Sequence, residues 1–168
     1  PGMTGSFPLD WLDSSGPNPE MVVSTRVRLA RNLEGLTDEQ ALVTLFDGGN
    51  HLNWVVAHLV AARDAMLVAL GAERVRSEEV DAVFDYGSTA PTPEEAWPLA
   101  QHVTDYLTAH DRLLAALEGL TDEQLAQPYD SSNGTLGYQL NFMLWHEAYH
   151  VGQATLYRRK AGLKSPIG

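Results

Sequence analysis

No cysteine occurs in this chain. Its absence excludes disulfides, thiolate metal ligands and a cysteine nucleophile. Positive charge is scarce as well: 11 Lys and Arg stand against 22 Asp and Glu, for a formal charge of -11. Without a basic run, a binder of nucleic-acid phosphates is not expected, and the acidic surface disfavours an anionic membrane. No apolar run approaches the roughly 20 residues of a membrane span. The N-terminus lacks the charged and apolar regions of a signal peptide, and Pro1-Gly2 ahead of Met3 reads as a tag remnant. A cytoplasmic protein is the expectation.

What is present is a globular composition. Hydrophobic residues make up 44% of 168 residues, enough for one domain with a sizeable core. Residues 1–20 read as an N-terminal arm rich in Gly, Pro, Ser and Asp, which Phe7, Leu9, Trp11 and Leu12 could pin to the body. Residues 21–168 read as a helical bundle domain. A first helix is predicted from Pro19 to Leu33, ending at Gly35, with Val22, Val23, Val27, Leu29 and Leu33 on one face. Thr37-Asp38-Glu39-Gln40 is a capping box that opens a short helix. Asn50 is placed to cap a second long helix that stops at Gly71.

Residues 72–91 show no sustained period and read as a long loop of functional interest. A second capping box, Thr92-Pro93-Glu94-Glu95, predicts a third long helix to about Glu118, kinked or restarted at Pro98. After a Ser131–Gly134 turn, Thr135 caps a fourth helix that runs to Lys160 and ends at Gly162. Arg158, Arg159 and Lys160 are expected to complement that helix's dipole. The segment Leu33–Gln40 recurs unchanged as Leu117–Gln124, so the same helix ending is used twice. Two helical hairpins packed as a four-helix bundle account for that.

The chemistry concentrates on the fourth helix, in Leu144-Trp145-His146-Glu147-Ala148-Tyr149-His150-Val151-Gly152-Gln153. On a helical wheel His150 lies about 40° from His146, with Gln153 and Gln139 about 20° to either side. Apolar residues bracket this polar stripe on both flanks, so the imidazoles should point into the bundle, where a metal or hydrogen bonds must satisfy them. On the second helix either His51 or His58 could face them. The two lie about 10 Å apart along the axis, so one ion is not expected to take both. His58 is preferred, because it sits in mid-helix with Ala62, Ala65 and Ala69 beside it.

His146-Glu147 with His150 also matches the HExxH spacing of zinc proteases, with Glu147 near the rim of the metal axis. No His, Asp or Glu follows His150 to supply a third ligand, which disfavours that reading. His102 and His110, among polar neighbours, read as solvated surface. Tyr138, Trp145 and Tyr149 read as core or dimer contact.

Asn50–Leu59 resembles the second-helix signature of the DinB/YfiT-like metalloenzymes, and His146–Gln153 with Arg158, Arg159 and Gly162 is similar to their last helix. The resemblance implies an all-α four-helix bundle of up-down-down-up order, often dimeric, with three histidines holding zinc, nickel or another divalent ion. That site maps onto His58, His146 and His150. The family's activities include thiol S-transfer with bacillithiol or mycothiol, maleylpyruvate isomerisation and hydrolysis. Its name implies no DNA binding.

A shorter stretch, Trp11-Leu12, Ser15-Gly16-Pro17 and Val23–Leu33, resembles the opening of bacterial protein-arginine kinases. Nothing after Gly35 continues that pattern, and the remaining chain is too short for a kinase domain.

The expectation is therefore a metal-dependent enzyme acting on a small molecule by thiol S-transfer or hydrolysis, with a low-molecular-weight thiol as a candidate co-substrate. Gln153, Gln139, Trp54 and Tyr149 are candidates to orient a ligand or line the substrate space. The alternative is a stress-related metal-binding or interaction protein that holds the same ion without catalysis.

Overall fold

In the computed structural model, residues 16–129 and 134–166 are described. Four long helices dominate: α1 (Pro19–Leu33), α3 (Leu52–Ala69), α5 (Leu99–Leu117) and α7 (Leu136–Lys160). The short helices α2 (Asp38–Ala41), α4 (Glu78–Ala82) and α6 (Asp122–Leu125) sit in the connections. A two-residue antiparallel ribbon, β1 (Pro128–Tyr129) with β2 (Gly134–Thr135), precedes α7. The expected Ser131–Gly134 turn falls largely outside the described residues, as does most of the N-terminal arm with its kinase-like Trp11-Leu12.

Side-chain contacts show how the helices run. Thr25 meets Glu147 and Asn32 meets Thr155, so α1 and α7 are parallel. Asn53 donates to the carbonyl of Trp97, just ahead of α5, and Arg63 donates to Tyr106, so α3 and α5 are parallel too. Tyr157 donates to the carbonyl of Asn50 and Arg63 pairs with Glu147, so α3 and α7 are antiparallel. This is the up-down-down-up order. Two adjacent parallel helices oblige the chain to return along the bundle, about 27 Å for 18 residues, and residues 70–98 make that return. The loop is long for a topological reason before any functional one.

The repeated helix ending folds identically in both copies. Leu33 and Leu117 close α1 and α5, and Gly35 and Gly119 take φ of 73° and 80°, a left-handed conformation that glycine adopts without strain. Thr37 with Gln40 and Thr121 with Gln124 both form complete capping boxes. The copies differ in what they hold: Asp38 accepts the backbone N–H of Leu99 and so caps α5 from α2.

Three local expectations are corrected. The second long helix is capped by His51, whose Nδ1 accepts from the Trp54 N–H, while Asn50 turns aside to accept from Ala90. Thr92 and Glu95 do bond each other, but the turn they close ends at Ala96, and Pro98 delays the helix to Leu99. Arg158 serves a helix C-terminus, but that of α1, donating to the carbonyls of Asn32 and Glu34.

α3 is long and apolar enough to cross a bilayer, with 18 residues of mean hydropathy 1.3, but 78% of it is buried inside the bundle. Its apolar residues lie on nearly every side because neighbours cover it nearly all round, and its buried Asn53, His58, Arg63 and Asp64 are the polar exceptions. Two apolar clusters fill the interior, one around Leu29, Val55, Leu59 and Val151, the other around Val22, Met66, Leu113 and Leu144.

Between the clusters lies a charged layer to which every long helix contributes. Arg63 of α3 donates twice to Glu147 of α7, at 2.7 and 2.8 Å. Tyr106 of α5 and Thr25 of α1 also donate to Glu147. Arg63 and Glu147 are 84 residues apart, the offset of the repeat, so equivalent positions of the two hairpins meet at the bundle centre. Burial pushes the Glu147 carboxyl up, but the Arg63 charge and the three donors outweigh it and hold it below the usual carboxylate range.

His102 and His110 are buried, not solvated. With Tyr106, Ala109 and Leu113 they occupy the inward face of α5 at helical spacing. Their polar neighbours belong to the opposite face.

Candidate metal centre

His58 projects from α3, and His146 and His150 from one face of α7 a turn apart, so antiparallel packing brings the three rings together. His146 Nε2 lies 3.1 Å from His58 Nε2 and 3.0 Å from His150 Nε2. Among the described residues these three form the one cluster of His, Asp or Glu donors suited to a metal ion, with ligand atoms all within 4.8 Å of one another.

The outer nitrogens settle the tautomers. His58 Nδ1 sits 2.6 Å from the Phe84 carbonyl, which can only accept, so that nitrogen carries the proton. His150 Nδ1 faces Gln153 Oε1 at 2.8 Å and is protonated for the same reason. Both Nε2 atoms of these neutral rings therefore present lone pairs to His146 Nε2. His146 can donate to one of them at most, and doing so strips its own Nδ1, which is buried with no partner. Neutral imidazoles alone leave one lone pair facing another, whereas an ion among the three Nε2 atoms satisfies all of them.

The rings are disposed to stay neutral. Burial and the neighbouring His146 and His58 push His150 down to about 4. Burial lowers His58 against the opposing pull of the Phe84 carbonyl and Asp85, and burial with the nearby His58 lowers His146. The donor set thus fits a divalent ion by number, element and protonation state.

The surroundings hold the rings in place. Trp54 stacks flat on His58, with centroids 4.8 Å apart and planes 8° apart, and its indole N–H donates to Ser88. Gln153 accepts from His150 and donates to the Tyr149 hydroxyl at 2.9 Å. The Phe84 carbonyl is set by the return connection. Asp64 of α3 accepts the N–H groups of Val75 and Arg76, and Arg76 in turn bonds Asp105 and His102. The Phe84 ring packs edge-on against Trp97 and His102.

A cavity of about 720 Å³ opens over the histidines. Trp54, Tyr149 and Gln153 line it, and Gln139 does not. Trp145 and Tyr149 are not core: they are 46% and 53% exposed and form its wall. His51 is tied to the Pro91 carbonyl. Glu147 points away from the histidines into the charged layer, which removes the basis of the protease reading. Sequence reasoning missed Phe84, whose contribution is a backbone carbonyl, and Asp85 and Ser88, which lie in an aperiodic stretch. It also missed Arg76, one of two arginines, with Arg74, in a loop otherwise rich in acidic residues.

A family model described as the DinB superfamily matches residues 21–154. Solved structures share the fold, three of them as follows. YfiT from Bacillus subtilis, described as a probable metal-dependent hydrolase with an unusual four-helix bundle topology, is 20% identical, with a TM-score of 0.65 over 98% of this chain and 94% of its own. A conserved protein from Enterococcus faecalis is 20% identical, with a TM-score of 0.64 over 92% and 97%. A DinB-like protein from Bacillus cereus is 23% identical, with a TM-score of 0.63 over 88% and 90%. No functionally curated protein matches. The match over most of the chain, on a bundle of this topology, establishes that the protein belongs to the DinB superfamily.

Proposed function

We propose that this protein is a divalent-metal-dependent enzyme that transforms a small molecule by hydrolysis or by thiol S-transfer, with zinc or nickel held by His58, His146 and His150. The observation that carries the reading is the convergence of three Nε2 atoms at one end of a cavity open to solvent. A structural ion is usually enclosed by four protein ligands, whereas three ligands beside a cavity leave room for a reactant. The description of YfiT as a probable metal-dependent hydrolase agrees with the hydrolytic form of this reading.

When bound, the ion supplies Lewis acidity, which draws the pKa of a water or thiol toward neutrality. The chain's residues do the rest. Phe84 and Gln153 fix the ring orientations of His58 and His150. The Tyr149 hydroxyl accepts from Gln153 and keeps its own proton, which it can hand to a leaving group in the cavity. Trp54 and the aromatic wall exclude water from one side of the reactant.

The test compares zinc-loaded, nickel-loaded and chelated protein in ester-hydrolysis and thiol-conjugation assays. Turnover that requires the ion and is lost in His150→Ala supports the proposal. A loaded, stably folded protein inactive in both assays would make the ion structural.

A further inference from the structure

The lining of the cavity has a charge composition that bears on what enters it. Among the described residues no lysine or arginine lines it, and the one carboxylate in the lining belongs to Asp85. Two interior arginines are already paired, Arg63 with Glu147 and Arg76 with Asp105 and His102. Both are almost completely buried and stand outside the lining.

The wall on α7 is a continuous aromatic band. Phe142 lies 5.8 Å from Trp145, Trp145 stacks on Tyr149 at 6.1 Å, and Tyr149 meets His150 edge-on at 5.1 Å. The band therefore runs along the cavity wall to the proposed metal ligands. Across from it, α3 offers Ala61, Ala62 and Ala65, whose small side chains leave a slot between the two helices. Phe46 and Tyr86 add two more rings at the rim, 68% and 93% exposed.

A slot walled by aromatic rings on one side and methyl groups on the other favours a flat apolar body. A carboxylate, phosphate or sulfate on that body, held away from the ion, would meet no lysine or arginine among the described lining residues and would lie beside Asp85 within a chain of net charge -11. We infer that the cavity takes a small molecule with an uncharged aromatic or similarly flat apolar body, its reacting group toward His150, and discriminates against bodies bearing an anionic group. The inference deepens the proposed function and rests on its assignment of this cavity as the reaction site.

The test uses two dyes of one skeleton, neutral N-phenylnaphthylamine and anionic anilinonaphthalene sulfonate. Each is titrated by fluorescence into the chelator-dialysed full chain and then into the zinc-loaded chain. In the metal-free protein the neutral dye is expected to bind at least about tenfold more tightly than the sulfonate, a difference of about 1.4 kcal/mol. Asp85→Asn should narrow that gap. Trp145→Ala and Phe142→Ala should each weaken the neutral dye about tenfold, and two separate wall variants guard against one misfolding. Equal or tighter binding of the sulfonate would overturn the inference, as would wall variants that bind the neutral dye like the parent. Because this arm needs no metal, a chain that prefers the neutral dye but takes up no zinc would overturn the metal reading and leave the inference standing.

Discussion

Replacing Glu147 by Gln removes one charge from the layer where all four long helices meet, with little change of volume. The parent carboxylate accepts two bonds from Arg63, at 2.7 and 2.8 Å, one from Tyr106 at 2.8 Å, and one from Thr25. In the variant, one carboxylate oxygen becomes an NH2 group that meets an Arg63 N–H donor to donor, and a guanidinium with 0% exposure keeps its charge unpaired. Breaking a buried pair from one side costs about 3–5 kcal/mol. At about 2–4 °C per kcal/mol for a domain of this size, the melting temperature should fall by about 10 °C. Arg63→Met should cost a similar amount, because it strands the carboxylate instead. Removing both charges in Arg63→Met/Glu147→Gln should cost less than the sum of the two single changes by about 2 kcal/mol or more.

The sign with pH follows from the depressed Glu147 pKa. Its contribution is complete above the unfolded carboxylate value of about 4.3 and is lost as pH falls through the lower folded value. The gap between parent and Glu147→Gln should therefore be full at neutral pH and close in acid. Circular dichroism of thermal and urea unfolding measures all of this. Single variants within about 1 kcal/mol of the parent, or strictly additive changes, would refute the central role given to this layer.

Gln153→Leu removes the acceptor that holds the His150 proton, and competition against a fluorescent chelator should show metal affinity lower by about 10- to 100-fold. An unchanged affinity would mean that Gln153 does not orient the ring. Burial and the Arg76 charge push His102 down to about 4, so its neutral form contributes stability that is complete above the unfolded value of about 6.5 and is lost as pH falls from there toward 4. The urea midpoint should drop between pH 7.5 and 5 more steeply in the parent than in His102→Gln, and equal slopes would contradict the assignment.

Helix ends were legible in the sequence because caps are local. Both Thr-to-Gln capping boxes, the glycine stops and Thr135 act within four residues, and the chain has no means to override them. The three histidines were legible because an i, i+4 pair needs only helical periodicity, and alanines marked the neighbouring helix that approaches it. What could not be read was pairing across helices. Glu147 looks like part of a metal motif until Arg63 is seen opposite it, and nothing local to either residue announces the other. His102 and His110 were misread because polar neighbours on the outer face of α5 dominated, although Tyr106, Ala109 and Leu113 share their spacing. The Thr92 box misled for another reason: it closes a genuine turn, and Pro98 then stops that turn from propagating.

The claim on which the rest depends is that one ion sits among three histidines from two helices. Equilibrium dialysis against zinc or nickel, followed by elemental analysis, tests it most directly. The parent should take up one ion per chain, and His58→Ala, His146→Ala and His150→Ala should each lose it, while His51→Asn, which keeps a capping side chain, retains it. Full occupancy in a folded His58→Ala variant would contradict the site described here.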